Sequence, residues 1–176
     1  LIYHSGFVTD RKEGPYDPKR TDGIDALVTS LAENGIKPGS NVYAELGSTW
    51  RFLMRDPDST AHALGKLLKH CGPDNVLWGT DSIWYGSPQD QIQAFRAFQI
   101  PQAVREEFAY PEITPQLRAK VFGLNAIVPY QISVEEVLKA ASNDTLGRNR
   151  ESYLVKADPH YATYGPKTRR EFFRLM

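Results

Sequence analysis

Three short apolar runs, separated by two helical segments, constrain the fold of this chain more than any other feature. The runs lie at 1–6, 41–47 and 75–80 and contain β-branched and aromatic residues. Between them, at 24–31 and 58–71, apolar residues recur at the spacing of an amphipathic helix. An alternation of strands and helices with short connections predicts a parallel sheet with right-handed crossovers. The predicted fold class is therefore α/β.

The rest of the chain is predicted to be helical and then irregular. A polar stretch at 8–22 containing Pro and Gly predicts a loop. Further helices are expected from about Pro88, with Ile92, Phe95 and Phe98 on one face, and from Thr114, with Leu117, Val121, Leu124 and Val128 on one face. Residues 143–176 predict an irregular tail that ends in a short helix near 168–175. We divide the chain into a main unit at 1–132 and, at 133–176, a C-terminal helix with an irregular tail packed on that unit.

The predicted sheet is incomplete by itself. Three parallel strands cannot close into a barrel, and parallel sheets are rarely left with open faces. The chain also begins directly in the strand-like run Leu1–Gly6, without a polar lead-in. We therefore expect the remaining strands to come from an upstream segment of a longer protein or from another subunit, and a homo-oligomer is one form of the second case.

Composition excludes several classes of partner and site. Lys+Arg and Asp+Glu both number 21, so no net charge favours binding to nucleic acid or to an anionic membrane. The single cysteine, Cys71, excludes an internal disulfide and a cysteine-based zinc site, and is predicted to be a small core residue. No apolar run approaches the roughly 20 residues of a membrane span. We expect a soluble, cytoplasmic protein that acts on a small molecule.

The candidate functional residues lie at the carboxyl ends of the three predicted strands, where parallel α/β folds bind their ligands. These ends carry His4, Glu45 and Asp81. One imidazole and two carboxylates are ligands of the kind that hold Zn²⁺ or a similar divalent ion while leaving positions open for water. The aromatic pair Trp84-Tyr85, shortly after Asp81, is a candidate wall of the substrate pocket. Trp84 and Glu45 are the two candidate pocket residues.

Each of these residues also has a structural interpretation. Asp81 is placed to cap the turn that follows its strand. His4 is placed to be a hydrogen-bonded structural residue, and Glu45 to be a buried partner of Arg51. The pair Trp84-Tyr85 is as well explained by burial in an ordinary loop. The positions of His4, Glu45 and Asp81 at corresponding ends of consecutive strands favour the joint functional interpretation.

Five short motifs along the chain form a set. They are His4-Ser5-Gly6, Asn41-Val42-Tyr43-Ala44-Glu45, Val76-Leu77-Trp78-Gly79-Thr80-Asp81, Ile113-Thr114-Pro115 and Lys120-Val121-Phe122-Gly123-Leu124-Asn125-Ala126. Together they resemble the C-terminal part of the amidohydrolase-2 branch of the amidohydrolase superfamily, which includes relatives of aminocarboxymuconate-semialdehyde decarboxylase. The resemblance covers about residues 1–132.

The resemblance implies a distorted (β/α)8 barrel of the TIM type, in which this chain supplies strands six, seven and eight. It implies a divalent metal, zinc in the first instance. It places His4 at the metal site and makes Asp81 both a metal ligand and the carrier of the proton of the attacking water. Glu45 is not a standard ligand of the family, so we expect it to face the substrate or to be structural.

One part of the family pattern is missing from the chain. The family has a His-x-His pair on strand one and a histidine on strand five, and neither has a counterpart here. The chain contains only His4, His62, His70 and His160, none at that spacing. We therefore expect an incomplete active site that the missing half of the barrel or another subunit completes.

These observations leave three hypotheses for function. The first is a metal-dependent hydrolase that cleaves C–N or C–O bonds of a small molecule with metal-activated water. The second is a nonoxidative, metal-dependent decarboxylase of a small carboxylic acid that uses the same site. The third is a non-catalytic subdomain that binds or completes a partner chain.

Overall fold

A short parallel sheet joins three segments of the chain, as the alternation of strands and helices predicts. In the computed structural model, which describes residues 1–156 except the side chain of Asn143, together with Arg170 and Phe173, strands β1 (Ala44–Glu45) and β2 (Val76–Leu77) pair in parallel. Ile2 adds an isolated parallel bridge to Ala44. The described part of the chain is a mostly helical α/β structure around this sheet.

The first predicted strand, 1–6, is wrong beyond Ile2. The amide of Ile2 donates to Tyr43 O at 2.7 Å and its carbonyl accepts from the Glu45 amide at 3.0 Å, which is parallel pairing. Residues Tyr3–Gly6 then form a 3-10 turn, because His4 (φ 57°) and Ser5 (φ 51°) adopt left-handed backbone conformations that no extended strand contains. The turn directs His4 toward the carboxyl end of the sheet.

The two predicted crossover helices are confirmed. Helix α1 (Gly23–Glu33) buries Ile24, Val28 and Leu31. Helix α3 (Pro57–His70) begins at Asp56, whose carboxylate accepts the Ser59 amide at 3.2 Å in an N-cap. The buried apolar residues of α3 are Ala61, Ala63, Leu64, Leu67 and Leu68. Cys71 is buried directly after α3, as predicted, and burial raises the pKa of its thiol to about 11.

Three short helices were absent from the sequence-based prediction. They are α2 (Gly47–Leu53), α4 (Ser82–Tyr85) and α6 (Gln102–Phe108). Each is too short to show a complete amphipathic repeat, so periodicity could not identify it. Two of the three, α2 and α4, begin directly at the carboxyl end of the sheet, and they carry side chains that contact the candidate site.

The two later helices are confirmed in position but differ in length. Helix α5 (Gln89–Ala97) lies where predicted. Helix α7 (Pro115–Phe122) starts from Thr114, whose hydroxyl accepts the Leu117 amide, and it ends at Gly123. The expected apolar stripe therefore does not continue to Leu124 and Val128, which are exposed. A 3-10 turn at Leu124–Ala126 and helix α8 (Ile127–Tyr130) follow instead.

The C-terminal region is more helical than predicted. Helix α9 (Val134–Asn143) starts at Ser133, whose hydroxyl accepts the Glu136 amide. Helix α10 (Thr145–Val155) starts at Asp144, which caps the Gly147 amide at 2.7 Å. The irregular conformation predicted from residue 143 is therefore wrong as far as 156, because Asp144 is the N-cap that starts a helix there.

Little of the predicted tail helix near 168–175 can be compared with the structure. Arg170 and Phe173 are described and helical, and the rest of that prediction lies outside the described residues. Phe173 lines a small cavity together with Trp50, Pro57 and Phe98. Within the part of the chain that is described, no helix is long and apolar enough to cross a membrane.

An aromatic cluster forms the part of the core next to the sheet. The Trp50 ring meets the Phe95 ring edge-on, with ring centroids 5.1 Å apart, and Trp78 lies 4.8 Å from Phe122. The Trp50 indole N–H donates to the Gln91 carbonyl at 2.9 Å, which satisfies the polar atom of a fully buried side chain. This cluster fixes α2 and α5 against β2 below the candidate site.

A buried charge network holds the loop at 8–22 onto the helices. Lys66 of α3 is fully buried, and its ammonium lies 2.6 Å from both Glu13 Oε2 and Asp25 Oδ1. Arg20 adds a contact to Asp25 at 3.2 Å. Glu13 and Asp25 are themselves buried, so each charge depends on its partners for compensation of the lost hydration.

Candidate active site

His4, Glu45 and Asp81 meet at the carboxyl end of the sheet. His4 follows the Ile2 bridge, Glu45 ends β1 and Asp81 follows β2. The His4 Nδ1 atom lies 3.5 Å from Asp81 Oδ2 and 4.0 Å from Glu45 Oε2. Because parallel strands end at the same edge of their sheet, residues far apart in sequence come together here.

Glu45 holds the backbone of the site in place. Its Oε2 accepts the His4 amide at 3.1 Å, and its Oε1 accepts the Gly47 amide at 2.7 Å. The residue is buried, and a Cβ at Gly79 would collide with its Oε1 atom. Both carboxylate oxygens are thus engaged with the backbone around the site. Of the two roles considered for Glu45, this geometry supports the structural one.

The predicted alternative partner of Glu45, Arg51, has a different contact. Its guanidinium lies 2.7 Å from the Asp90 carboxylate. Arg51 is also 5.7 Å from the centre of the Tyr85 ring, within the range of a cation–π contact. The suggested Arg51–Glu45 pair is therefore wrong, because the strand-end amides of His4 and Gly47 already occupy the Glu45 carboxylate.

Asp81 is held by Ser48 and not by the helix that follows it. It precedes α4, yet its side chain makes no capping hydrogen bond to that helix. Its Oδ2 atom instead accepts the Ser48 amide at 3.0 Å and the Ser48 hydroxyl at 2.6 Å. The interpretation of Asp81 as a turn cap is therefore wrong. In the described part of the chain these bonds all reach Oδ2, so Oδ1 has no protein donor there.

Two of the candidate site residues have left-handed backbone conformations. His4 (φ 57°) and Asp81 (φ 50°) both occupy the left-handed region, which non-glycine residues rarely adopt. Such conformations persist where surrounding contacts impose them, and they cluster at functional sites. At His4, those contacts are the Glu45 bond to its amide and the Thr49 hydroxyl bond to its carbonyl at 2.5 Å.

The arrangement of His4 and Asp81 fits two ligands of one divalent ion. Two ligands of a tetrahedral zinc ion with bonds of about 2.1 Å are about 3.4 Å apart, and the Nδ1–Oδ2 separation is 3.5 Å. The His4 side chain is 48% exposed and Asp81 27%, so the pair is open to solvent. In residues 1–156, Arg170 and Phe173, no group of three or more His, Cys, Asp or Glu side chains could hold a metal by itself.

Ser48 was missed by the sequence analysis. Ser48 lies three residues after Glu45, and its hydroxyl is 3.0 Å from the Tyr85 hydroxyl. Its amide also donates to His4 Nδ1 at 3.3 Å. Ligands bind at the carboxyl ends of parallel strands. Ser48, the second residue of α2, lies at the end of β1 as Glu45 does. Ser48 could therefore have been identified as a candidate by that rule.

Trp84, the predicted pocket wall, lies on α4 with 79% of its surface exposed. In the described structure this indole therefore does not enclose a pocket by itself. The residue of α4 that does reach the site is Tyr85, through its hydroxyl. Of the aromatic pair Trp84-Tyr85, it is therefore Tyr85 and not Trp84 that contacts the candidate site.

The other described histidines lie away from this site. His62 packs edge-on against Phe108, with centroids 5.1 Å apart, and its Nδ1 is 3.4 Å from the Tyr110 hydroxyl. His70 packs against Tyr16 at 5.8 Å. Burial, reinforced by nearby lysines, lowers the pKa of both imidazoles. Both therefore favour the neutral form and act as aromatic packing groups of α3.

Comparison with known proteins identifies one family. A sequence model of the family described as Amidohydrolase matches residues 36–131, which is more than half of the 176-residue chain. The matched segment includes Glu45, Ser48 and Asp81, and His4 lies before it. No curated protein and no solved structure gives a significant match to the chain.

Proposed function

The chain belongs to the amidohydrolase family, and on that premise we propose that the protein is a metal-dependent hydrolase of C–N or C–O bonds in a small molecule. The family match supports an enzyme of the amidohydrolase superfamily, whose members generally use divalent metals. The observation that carries the proposal is the meeting of His4 Nδ1 and Asp81 Oδ2 at 3.5 Å, at the carboxyl ends of parallel strand segments. In the proposed barrel these segments are strands six, seven and eight.

His4 and Asp81 are the residues proposed to hold the metal, with zinc as the first candidate. An imidazole nitrogen and a carboxylate oxygen are ligands that zinc accepts readily. We propose that the remaining ligands come from another part of the same barrel or from a second subunit. When bound, the ion supplies Lewis acidity, which polarises the substrate and lowers the pKa of water at the site.

Asp81 is proposed to carry the proton of the attacking water. Ser48 holds its Oδ2 atom, so its Oδ1 atom is free of protein donors in the described chain and can accept that proton. The proton then passes to the nitrogen or oxygen of the leaving group, as in general acid–base catalysis. His4 faces the same space with a half-exposed ring, so it can also orient a polar group of the substrate.

The products distinguish this proposal from its alternatives. The complete protein, loaded with zinc, is to be assayed against small amides, esters and carboxylic acids. We expect release of an amine or alcohol together with a new carboxylate, and loss of that activity on chelation with recovery on zinc addition. Evolution of CO2 without hydrolysis would replace the hydrolase by a nonoxidative decarboxylase. If none of these compounds is turned over, with or without zinc, the result would favour the hypothesis of a partner-binding subdomain.

A further inference from the structure

A chain of hydrogen bonds connects Tyr85 of α4 to Asp81 through Ser48. The Ser48 hydroxyl lies 2.6 Å from Asp81 Oδ2 and 3.0 Å from the Tyr85 hydroxyl. The Ser48 amide donates to the same Oδ2 atom at 3.0 Å. One serine therefore makes two bonds to one carboxylate oxygen and a third to the hydroxyl of a tyrosine on α4.

The direction of these bonds follows from the number of protons available. An ionised carboxylate only accepts, so the Ser48 hydroxyl donates its single proton to Asp81. The Ser48 oxygen can then only accept from Tyr85, and the Tyr85 hydroxyl is the donor. Tyr85 is itself held by an edge-on contact with Phe52, with centroids 6.0 Å apart, and by the Arg51 guanidinium. The order is Tyr85 to Ser48 to Asp81.

Resting on the hydrolase proposal above, we propose that Ser48 is the positioning residue of Asp81 and that Tyr85 acts only through the Ser48 hydroxyl. Asp81 needs such support because its backbone is in the left-handed region and its carboxylate makes no bond to α4. With Oδ2 fixed by Ser48, the plane of the carboxylate is set, and Oδ1 is left to accept the proton. Hydrogen bonds to ligating carboxylates serve this purpose in metal sites.

The same geometry argues against Ser48 as a nucleophile. A nucleophilic serine gives its hydroxyl proton to a neighbouring base, commonly a histidine. Here the Ser48 amide, not its hydroxyl, is the atom bonded to His4 Nδ1, at 3.3 Å. The hydroxyl is directed at Asp81. Ser48 therefore acts on the carboxylate and not on the substrate.

The test compares Ser48→Ala, Ser48→Thr, Tyr85→Phe and the double variant Ser48→Ala/Tyr85→Phe in the complete, zinc-loaded protein. Ser48→Ala should lower kcat by about 10–100-fold, with a smaller change in KM, and weaken zinc binding in a chelator competition by a similar factor. Ser48→Thr retains a hydroxyl and should recover most of both losses. Ser30→Ala, at an exposed position of α1, is the matched control and should behave as wild type.

The double variant tests the connection to Tyr85. Because Tyr85 acts through the Ser48 hydroxyl, Tyr85→Phe should lower kcat in the wild-type background and have no further effect when Ser48 is alanine. Equal effects in both backgrounds would overturn the proposed connection. Should Ser48→Ala fail to fold, the Thr rescue and the Tyr85→Phe effect on zinc affinity decide the same question.

The outcome for Asp81 separates this inference from the hydrolase proposal. If Asp81→Asn is inactive while Ser48→Ala keeps wild-type kcat and zinc affinity, the positioning role is overturned and the hydrolase proposal stands. If Asp81→Asn retains activity within a few-fold of wild type, the hydrolase proposal itself fails. The two failures are thus distinguishable from one set of proteins.

Discussion

Replacement of Asp81 by asparagine should lower turnover by about 10²–10⁴-fold, the range associated with loss of a positioned acid–base group. The amide has the shape of the carboxylate and retains an oxygen that can accept from Ser48, so the fold should survive. It lacks the negative charge and the basicity that metal binding and proton transfer require. Steady-state kinetics on the complete, zinc-loaded protein measure the effect, and thermal unfolding checks the fold.

A matched control lies at the opposite end of β2 from Asp81. Asp74 precedes β2 at the opposite edge of the sheet, where its exposed carboxylate pairs with Lys120 at 2.5 Å. Asp74→Asn makes the same chemical change away from the site and should leave turnover unchanged. Activity of Asp81→Asn within a few-fold of wild type would show that Asp81 does not take part in catalysis.

Replacement of Lys66 by methionine should destabilise the protein by about 3–5 kcal/mol, the cost of breaking a buried ion pair from one side. Methionine fills a similar volume, but it leaves Glu13 and Asp25 buried without the ammonium that lies 2.6 Å from each. Of these two carboxylates, the Arg20 guanidinium contacts that of Asp25 in the described structure, so Glu13 loses the larger part of its compensation. Urea unfolding monitored by tryptophan fluorescence gives the free energy of unfolding.

The control for this variant lies on the same helix. Lys69 is exposed, and its ammonium donates to the Phe108 carbonyl at 2.8 Å. Lys69→Met should change the free energy of unfolding by less than about 1 kcal/mol, as is usual for surface substitutions. If Lys66→Met cost no more than Lys69→Met, the buried network would not stabilise the attachment of the loop at 8–22.

The topology and the meeting of His4 with Asp81 could be predicted from the sequence. Parallel strands leave their carboxyl ends at one edge, so the order of strands and helices was sufficient to bring these two residues together. The helix faces of α1 and α3 followed from apolar periodicity. The family resemblance drawn from the motifs is confirmed by the match over residues 36–131.

The local geometry of the site could not be predicted in the same way. Left-handed backbone at His4 and Asp81 is imposed by tertiary contacts such as those with Glu45 and Ser48, which lie 33 to 44 positions away in sequence. The hydrogen bonds of Glu45 to the His4 and Gly47 amides likewise depend on how the chain turns after Ile2 and after β1. Lys66 pairs with Glu13 of the loop at 8–22 and with Asp25 of α1, and no periodic pattern relates these three positions.

The central claim is that His4 and Asp81 together hold a divalent metal, and zinc titration of the metal-free complete protein tests it most directly. Isothermal titration calorimetry should show that His4→Ala and Asp81→Asn each weaken zinc binding by at least about tenfold. His70→Ala and Asp74→Asn, which make the same changes away from the site, should bind zinc as wild type does. Zinc affinity that is unchanged in both His4→Ala and Asp81→Asn would contradict the claim.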